Sequence, residues 1–218
     1  MPRGLFIVLE GLDGSGTTTQ AQTLVRRLEA EGHRAHFTAE PSSGPIGSQI
    51  RMMLAGRLVG WRGAPWDRRS LALLFAADRL DHLACDVEPK LAAGIHVVCD
   101  RYVLSSLAYQ SLDNPGPWVA ELNRFAVPPD VTYFLRVKAD VALGRRLEAS
   151  PGRAELFETL PQQRRIARAY EGALEREGKR HRVVAIDGAA PIEAVSDALW
   201  ADLEPKLRRA MRRMKARG

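Results

Sequence analysis

Residues 5–20 read LFIVLEGLDGSGTTTQ. An apolar run from Leu5 to Leu9 feeds a turn rich in glycine (Gly11, Gly14, Gly16), and a helical pattern begins at Thr18. Strand, glycine turn and helix in that order let backbone N–H groups converge on phosphate oxygens at a helix N-terminus. Gly11 and Gly16 have the spacing of G-x-x-x-x-G-K-[ST], with Asp13, Gly14 and Ser15 inside the loop and Thr19 just beyond it. Thr18 holds the position whose hydroxyl ligates Mg2+. The lysine position, however, is Thr17, and the first lysine of the chain is Lys90. A glycine turn without lysine also suits a purely structural strand-to-helix connection, so the loop by itself leaves both readings open. If nothing replaced that charge, a phosphoryl-transfer site would lose roughly 10²–10³ in rate, by analogy with deleted oxyanion donors.

Outward from this stretch, apolar runs at Ile95 to Cys99 and Val131 to Val137 have strand character, with weaker ones at Ala35 to Thr38 and Arg182 to Ile186. Helical patterns fill the intervals: Thr18 to Glu31, Ile46 to Leu58, Asp67 to Ala93, Trp118 to Ala126, Val141 to Glu148, Pro161 to Glu177 and Pro191 to Met214. Strands alternating with helices predict an α/β fold, a doubly wound five-stranded parallel sheet with helices on both faces and ligands at the carboxyl ends of the strands. No repeat or low-complexity linker divides residues 1–218, so one domain is expected, with a basic helix end at 205–218.

The chain carries 32 Lys+Arg against 26 Asp+Glu, a formal charge of +6, which invites a nucleic-acid partner. Residues 205–218 hold seven of those bases and no acid, which leaves 25 bases against 26 acids in the rest. The body is close to neutral, so a surface-wide nucleic-acid track is not expected. In the last helix Trp200, Leu203, Leu207, Met211 and Met214 recur at helical spacing, predicting a packed apolar face opposite a solvated basic one. Cys85 and Cys99 offer neither a disulfide framework nor metal spacing and read as two small buried residues in a cytoplasmic protein. The five histidines show no paired-ligand pattern, and no apolar run is long enough to span a membrane.

Asp100 closes the strand IHVVC, where a carboxylate either orders Mg2+ and its waters or caps the following helix. The phosphate loop in the same chain favours the first role. With 27 arginines and five lysines, arginine is the available cation. Arg101 follows Asp100, Arg79 sits in LLFAADR, and Arg145, Arg146 and Arg153 cluster after Val141. A guanidinium fork takes two phosphate oxygens at once, where an ammonium is a point charge.

Taken together, FIVLEGLDGSG-TTTQ, EPSSGPIG with Arg51, LLFAADRLDHL, VVCDRYVLSSLAYQS, LNRFAVPPDVTYFLRV and the AIDG turn before the last helix resemble the thymidylate kinase family of P-loop nucleoside monophosphate kinases. The segments keep the family's order over residues 5–203. The resemblance implies transfer of the γ-phosphoryl group of ATP to dTMP with Mg2+, by a homodimer. It makes Asp13 the carboxylate that meets the sugar 3′-hydroxyl, Phe75 the ring stacked on thymine, and Arg79 a contact to base and phosphate. Ser106 and Gln110 take the polar edge of the base, Tyr109 crowds the 2′ position, and Arg51 and Arg101 hold the acceptor phosphate. By the same token Thr18 and Asp100 hold the metal, and a short lid near 145–158 brings the charge of Arg146 and Arg153. Departures from the family pattern are Thr17 for lysine, Ala39 for the arginine before Glu-Pro, and Ser42 and Ser43 for glycines. The expectation is therefore an active kinase whose lid arginine covers part of the missing lysine. A relative with another acceptor or feeble activity, and a silent nucleotide-binding protein, are the alternatives.

Overall fold

The computed structural model describes residues 3–149 and 159–215, with side chains as far as residue 210 in the last helix. The run read first forms β1 (Phe6–Gly11), buried along its whole length. It pairs in parallel with β3 (His96–Asp100) on one side and β4 (Val131–Arg136) on the other. Outside these lie β2 (Ala35–Ala39) and β5 (Val183–Asp187), giving an all-parallel sheet of order β2-β3-β1-β4-β5.

The alternation of side chains along each strand splits the core in two. Phe6 and Val8 face Val97, Cys99 and Phe134, and are covered by α5 (Val103–Tyr109) and α8 (Leu160–Glu177). Ile7 and Leu9 face Val98, Tyr133 and Leu135, covered by α1 (Thr17–Ala30) and α9 (Ile192–Lys215). Of the predicted stripe on α9, Trp200, Leu203 and Leu207 are buried, while the Met211 and Met214 side chains lie outside the described residues. The remaining helices are α2 (Pro45–Leu54), α3 (Arg68–His82), α4 (Glu88–Ala92), α6 (Gly116–Leu122) and α7 (Ala139–Ala149). Among the described residues no helix is long and apolar enough to cross a membrane.

Four local expectations are corrected. The helix expected to run to Leu58 stops at Leu54, because Gly56 turns left-handed (φ +67°) and the Arg57 and Gly56 N–H groups close back on Met52 and Met53 at 2.8 and 3.1 Å. That double closure is a Schellman stop. The pattern from Asp67 to Ala93 is interrupted by a π-turn over Leu83–Val87. Pro89, with no N–H and a ring that crowds the preceding turn, enters at the start of α4 just beyond that widened turn. The helix expected over 118–126 is displaced to Gly116–Leu122, since the Asn123 amide donates to the Val119 carbonyl at 2.8 Å and terminates it. Cys85 is exposed, against the expectation that both cysteines are buried, because it sits on the outer side of the π-turn with its thiol on Asp81.

Two imidazoles are folded in neutral form. His96 Nδ1 accepts from the Leu5 N–H at 2.9 Å, and burial, assisted by the charge of His33, lowers its pKa to about 4. Burial, followed by the charge of Arg180, lowers His181 to about 4 as well. The unfolded value is near 6.5, so between pH 6.5 and 4 the unfolded chain binds more protons than the folded one, and stability falls as pH drops through that window. The unfolding free energy, measured by urea titration from pH 7 to 4, should decline accordingly. The double variant His96→Asn/His181→Asn should show a visibly shallower decline.

Candidate active site

The sheet reverses direction at β1: the chain leaves toward β2 and β3, then crosses to β4 on the other side. A crevice opens at such a point, outside the carboxyl ends of the strands. The loop after β1 fills its floor. Gly14 and Gly16 both have positive φ (+84° and +91°), which turns the chain from strand into α1. Gly14 also has no room for a side chain: a Cβ there would lie 2.0 Å from the Ala142 carbonyl oxygen and 3.1 Å from Arg146 Cβ. Helix α7 thus packs straight onto the loop, placing Arg146 beside it.

A cavity of about 930 Å³ runs over this loop, lined by Asp13 to Gln20, by Arg101, Arg145 and Arg146, and by the turn at 188–192 that opens α9. Arg145 ties α7 to that turn, donating to the Gly188 and Ala189 carbonyls at 2.7 and 3.0 Å. Thr17 lines the cavity and is nearly buried. The Thr18 hydroxyl donates a hydrogen bond to Asp100 Oδ2. Asp100 Oδ1 is buried without a partner among the described residues. A hydroxyl and an unsatisfied carboxylate oxygen side by side fit a hard divalent cation, which takes oxygen ligands.

A second cavity, of about 230 Å³, lies between α3 and α5. Phe75 and Arg79, one turn apart on α3, both line it, facing Ser106, Tyr109 and Gln110. Arg79 is only 2% exposed. Its Nε donates to Glu40 Oε2 at 2.9 Å, Nη2 donates to the Tyr102 carbonyl and Ser106 Oγ at 3.1 and 3.0 Å, and Nη1 is held by Asn123 Oδ1. Glu40 Oε1 is steadied in turn by His82, whose other ring nitrogen meets Thr38 Oγ1 at 2.7 Å. Glu40, His82 and Cys99 approach one another closely enough for a metal. Burial pushes the Cys99 thiol well up, so it is protonated, and Arg79 already neutralises Glu40. Glu40, steadied by His82, anchors an arginine, while the Cys99 thiol donates to the Arg101 carbonyl. Gln110 Oε1 and Asn114 Oδ1 are buried and without partners among the described residues, leaving two acceptors at the cavity wall.

Asp13 and Arg101 line both cavities. Arg101 Nη2 donates to Asp13 Oδ1 at 2.6 Å, Nη1 to the Gly11 carbonyl at 3.0 Å, and the Tyr109 hydroxyl donates to Asp13 Oδ2 at 2.9 Å. Burial, together with the Asp13 charge, pushes the Tyr109 phenol above its ordinary range, so it stays protonated as a donor. Arg101 holds a left-handed backbone (φ +71°), which a residue with a Cβ adopts only where its surroundings enforce it.

Most residues singled out in the sequence therefore meet around one junction. Arg51 stands beside the second cavity instead of in its lining, its guanidinium donating to the Pro41 and Ser42 carbonyls. Arg153 and the greater part of the expected lid lie outside the described residues. Asn114 and Glu10 were not singled out in the sequence, and of the two Glu10 carried a visible signal, as a charged residue inside an otherwise apolar strand.

The thymidylate kinase family model matches residues 9–199. The chain is 39% identical over 213 residues to the thymidylate kinase of Thermomicrobium roseum, covering 95% of this chain and 98% of that protein. It is likewise 39% identical over 208 residues to a protein of Methanococcus maripaludis named "probable thymidylate kinase", covering 93% and 96%.

The packing of Gly14 can be tested directly. Gly14→Ala places a methyl group against the Ala142 carbonyl and strains φ, so loop and α7 must separate. Calorimetric titration should show affinity for ATP falling at least about tenfold, as misplaced loop N–H groups lose their charge-assisted hydrogen bonds.

Proposed function

The chain belongs to the thymidylate kinase family, and from that premise we propose that it transfers the γ-phosphoryl group of ATP to the 5′-phosphate of dTMP, giving ADP and dTDP. The observation that carries this reading is the meeting of the two cavities at Asp13 and Arg101. One cavity is floored by phosphate-binding backbone, the other walled by an aromatic ring, a buried arginine and unsatisfied acceptors.

In this reading the triphosphate lies along Gly14 to Thr19, with its base toward the 188–192 turn. The dTMP base stacks on Phe75, its polar edge meets Ser106 and Gln110, Tyr109 crowds the 2′ position, and Asp13 takes the 3′-hydroxyl. Arg79, Arg101 and, from the rim, Arg51 draw the acceptor phosphate. An oxygen of that phosphate bonds to the γ-phosphorus as the bridging bond to ADP breaks. The attacking oxygen is already ionised at neutral pH, so no general base is needed. What the chain supplies is alignment of two mutually repelling polyanions and fixed positive charge around them. Thr18 and Asp100 would hold Mg2+, which when bound neutralises charge on the phosphoryl oxygens.

Lacking the loop lysine, the site draws its cation from α7. Arg146, whose Cβ stands against Gly14, covers part of that role, with Arg153 as a further lid contributor. We also infer a homodimer through α2 and α3, where Met52, Leu73 and Leu80 are exposed, Leu73 and Leu80 seven residues apart on one face of α3.

A coupled ADP-release assay with ATP and Mg2+ tests the acceptor: dTMP should give faster turnover than dUMP, dCMP and dGMP. ATP binding with no ADP release for any of them would overturn the proposal, and preference for another acceptor would redirect it. Steady-state rates test the cation. Arg146→Ala should lower kcat by roughly 10²–10³, and Thr17→Lys should not raise it. A steep gain from Thr17→Lys with an unchanged Arg146→Ala would contradict this assignment.

A further inference from the structure

Glu10 is fully buried on the face of β1 that otherwise carries Phe6 and Val8. An apolar side chain would serve the fold at that position, yet its carboxylate collects four hydrogen bonds. Oε1 accepts from the Tyr102 and Ser105 N–H groups at 2.9 and 3.1 Å, and Oε2 from the Ser105 and Tyr170 hydroxyls at 2.6 and 3.1 Å. These two hydroxyls are 2.8 Å apart, and Arg101 Nη1 donates to both, at 3.2 and 3.3 Å.

The direction of these bonds carries the inference. The guanidinium can only donate and the carboxylate only accept, so the two hydroxyls accept from Arg101 and turn their protons inward, to Glu10 or from one hydroxyl to the other. A carboxylate in direct contact with Arg101 would compete with a phosphate for it. One hydroxyl layer back, Glu10 orients the acceptors without adding a second contacting carboxylate to the partly exposed Asp13 that Arg101 already meets. The Tyr102 N–H bond to Glu10 also pins the residue immediately after the left-handed turn at Arg101. Tyr170 comes from α8 and is fixed by its ring, which packs on Phe134 and, edge-on, on Tyr109.

We propose that Glu10, Ser105 and Tyr170 are positioning residues, a buried carboxylate with two hydroxyls that holds the Arg101 guanidinium at the junction of the two cavities. This rests on the reading of Arg101 as the group that meets the phosphates. It adds a contribution from α8, an element outside the phosphate loop and both strand ends. Burial raises the Glu10 pKa, opposed by the Ser105 hydrogen bond and the charge of Arg101.

The test is a double-mutant cycle in the full chain. Tyr170→Phe keeps the ring and removes only the hydroxyl; Glu10→Gln keeps the shape and removes the charge. Each is made alone and in an Arg101→Ala background, with kcat, KM for ATP and dTMP, and melting temperature measured throughout. Tyr170→Phe alone should lower kcat by about tenfold or more, the scale on which small misplacements act, with KM for ATP within about twofold. In the Arg101→Ala background the same substitution should change kcat by less than about twofold, since it acts only through Arg101. If Glu10→Gln does not fold, Tyr170→Phe still decides the matter. An additive cycle, or a Tyr170→Phe variant with lowered melting temperature and unchanged kcat, would overturn this inference. Absence of dTMP turnover in the unsubstituted chain would instead overturn the substrate reading on which it rests.

Discussion

The Arg101 guanidinium stands 2.6 Å from the Asp13 carboxylate at the one place that belongs to both cavities, and the surrounding structure is arranged to keep that charge there. Its backbone sits in a disfavoured region, its N–H closes onto the Leu9 carbonyl at 2.8 Å, and its guanidinium is engaged by the loop in front and by hydroxyls behind. A cation so placed has lost much of its hydration and meets polyanions in a medium less polar than water, where each contact is stronger than at the surface. The sheet order makes this possible. With β1 central and flanked in parallel by β3 and β4, the phosphate loop and the Asp100–Arg101 pair emerge side by side.

Charge placement also explains the treatment of Arg79. A fully buried guanidinium is tolerated only when paired and hydrogen-bonded, and Glu40, Asn123, Ser106 and the Tyr102 carbonyl meet that demand. The two arginines therefore differ in kind. Arg79 is built into the wall of its cavity, whereas Arg101 is held from behind and remains at the junction.

Much of this was legible in residue order. Buried parallel strands are nearly continuous apolar runs, so LFIVL, IHVVC and VTYFLRV announced the centre of the sheet, and Gly11 to Thr18 announced the loop. Short-range closures were not legible: the stop at Gly56 and the Asn123 cap each depend on where one backbone or amide group finds a partner. Helix α5 was foreseen only as a helix following Asp100, without bounds, because VLSSLAY is largely buried and shows little alternation of polar and apolar residues. Of the site, residues near the strand ends could be placed from sequence, but Tyr170, which lies 69 positions beyond Arg101, could not. Only the packing of α8 on α5 brings its hydroxyl to that arginine.

Net charge was a poor guide, since the basic excess collects in the terminal helix. The informative charge was the one missing at Thr17, and the close approach of α7 to Gly14 suggests how it is covered. The chain moves a phosphoryl group between two nucleotides without a loop lysine. Phosphorus NMR of ATP, Mg2+ and dTMP incubated with the chain tests it most directly. The two resonances of dTDP should grow in step with those of ADP, with no inorganic phosphate released in their place. Accumulation of ADP with inorganic phosphate and no dTDP, or an unchanged ATP spectrum, would contradict it.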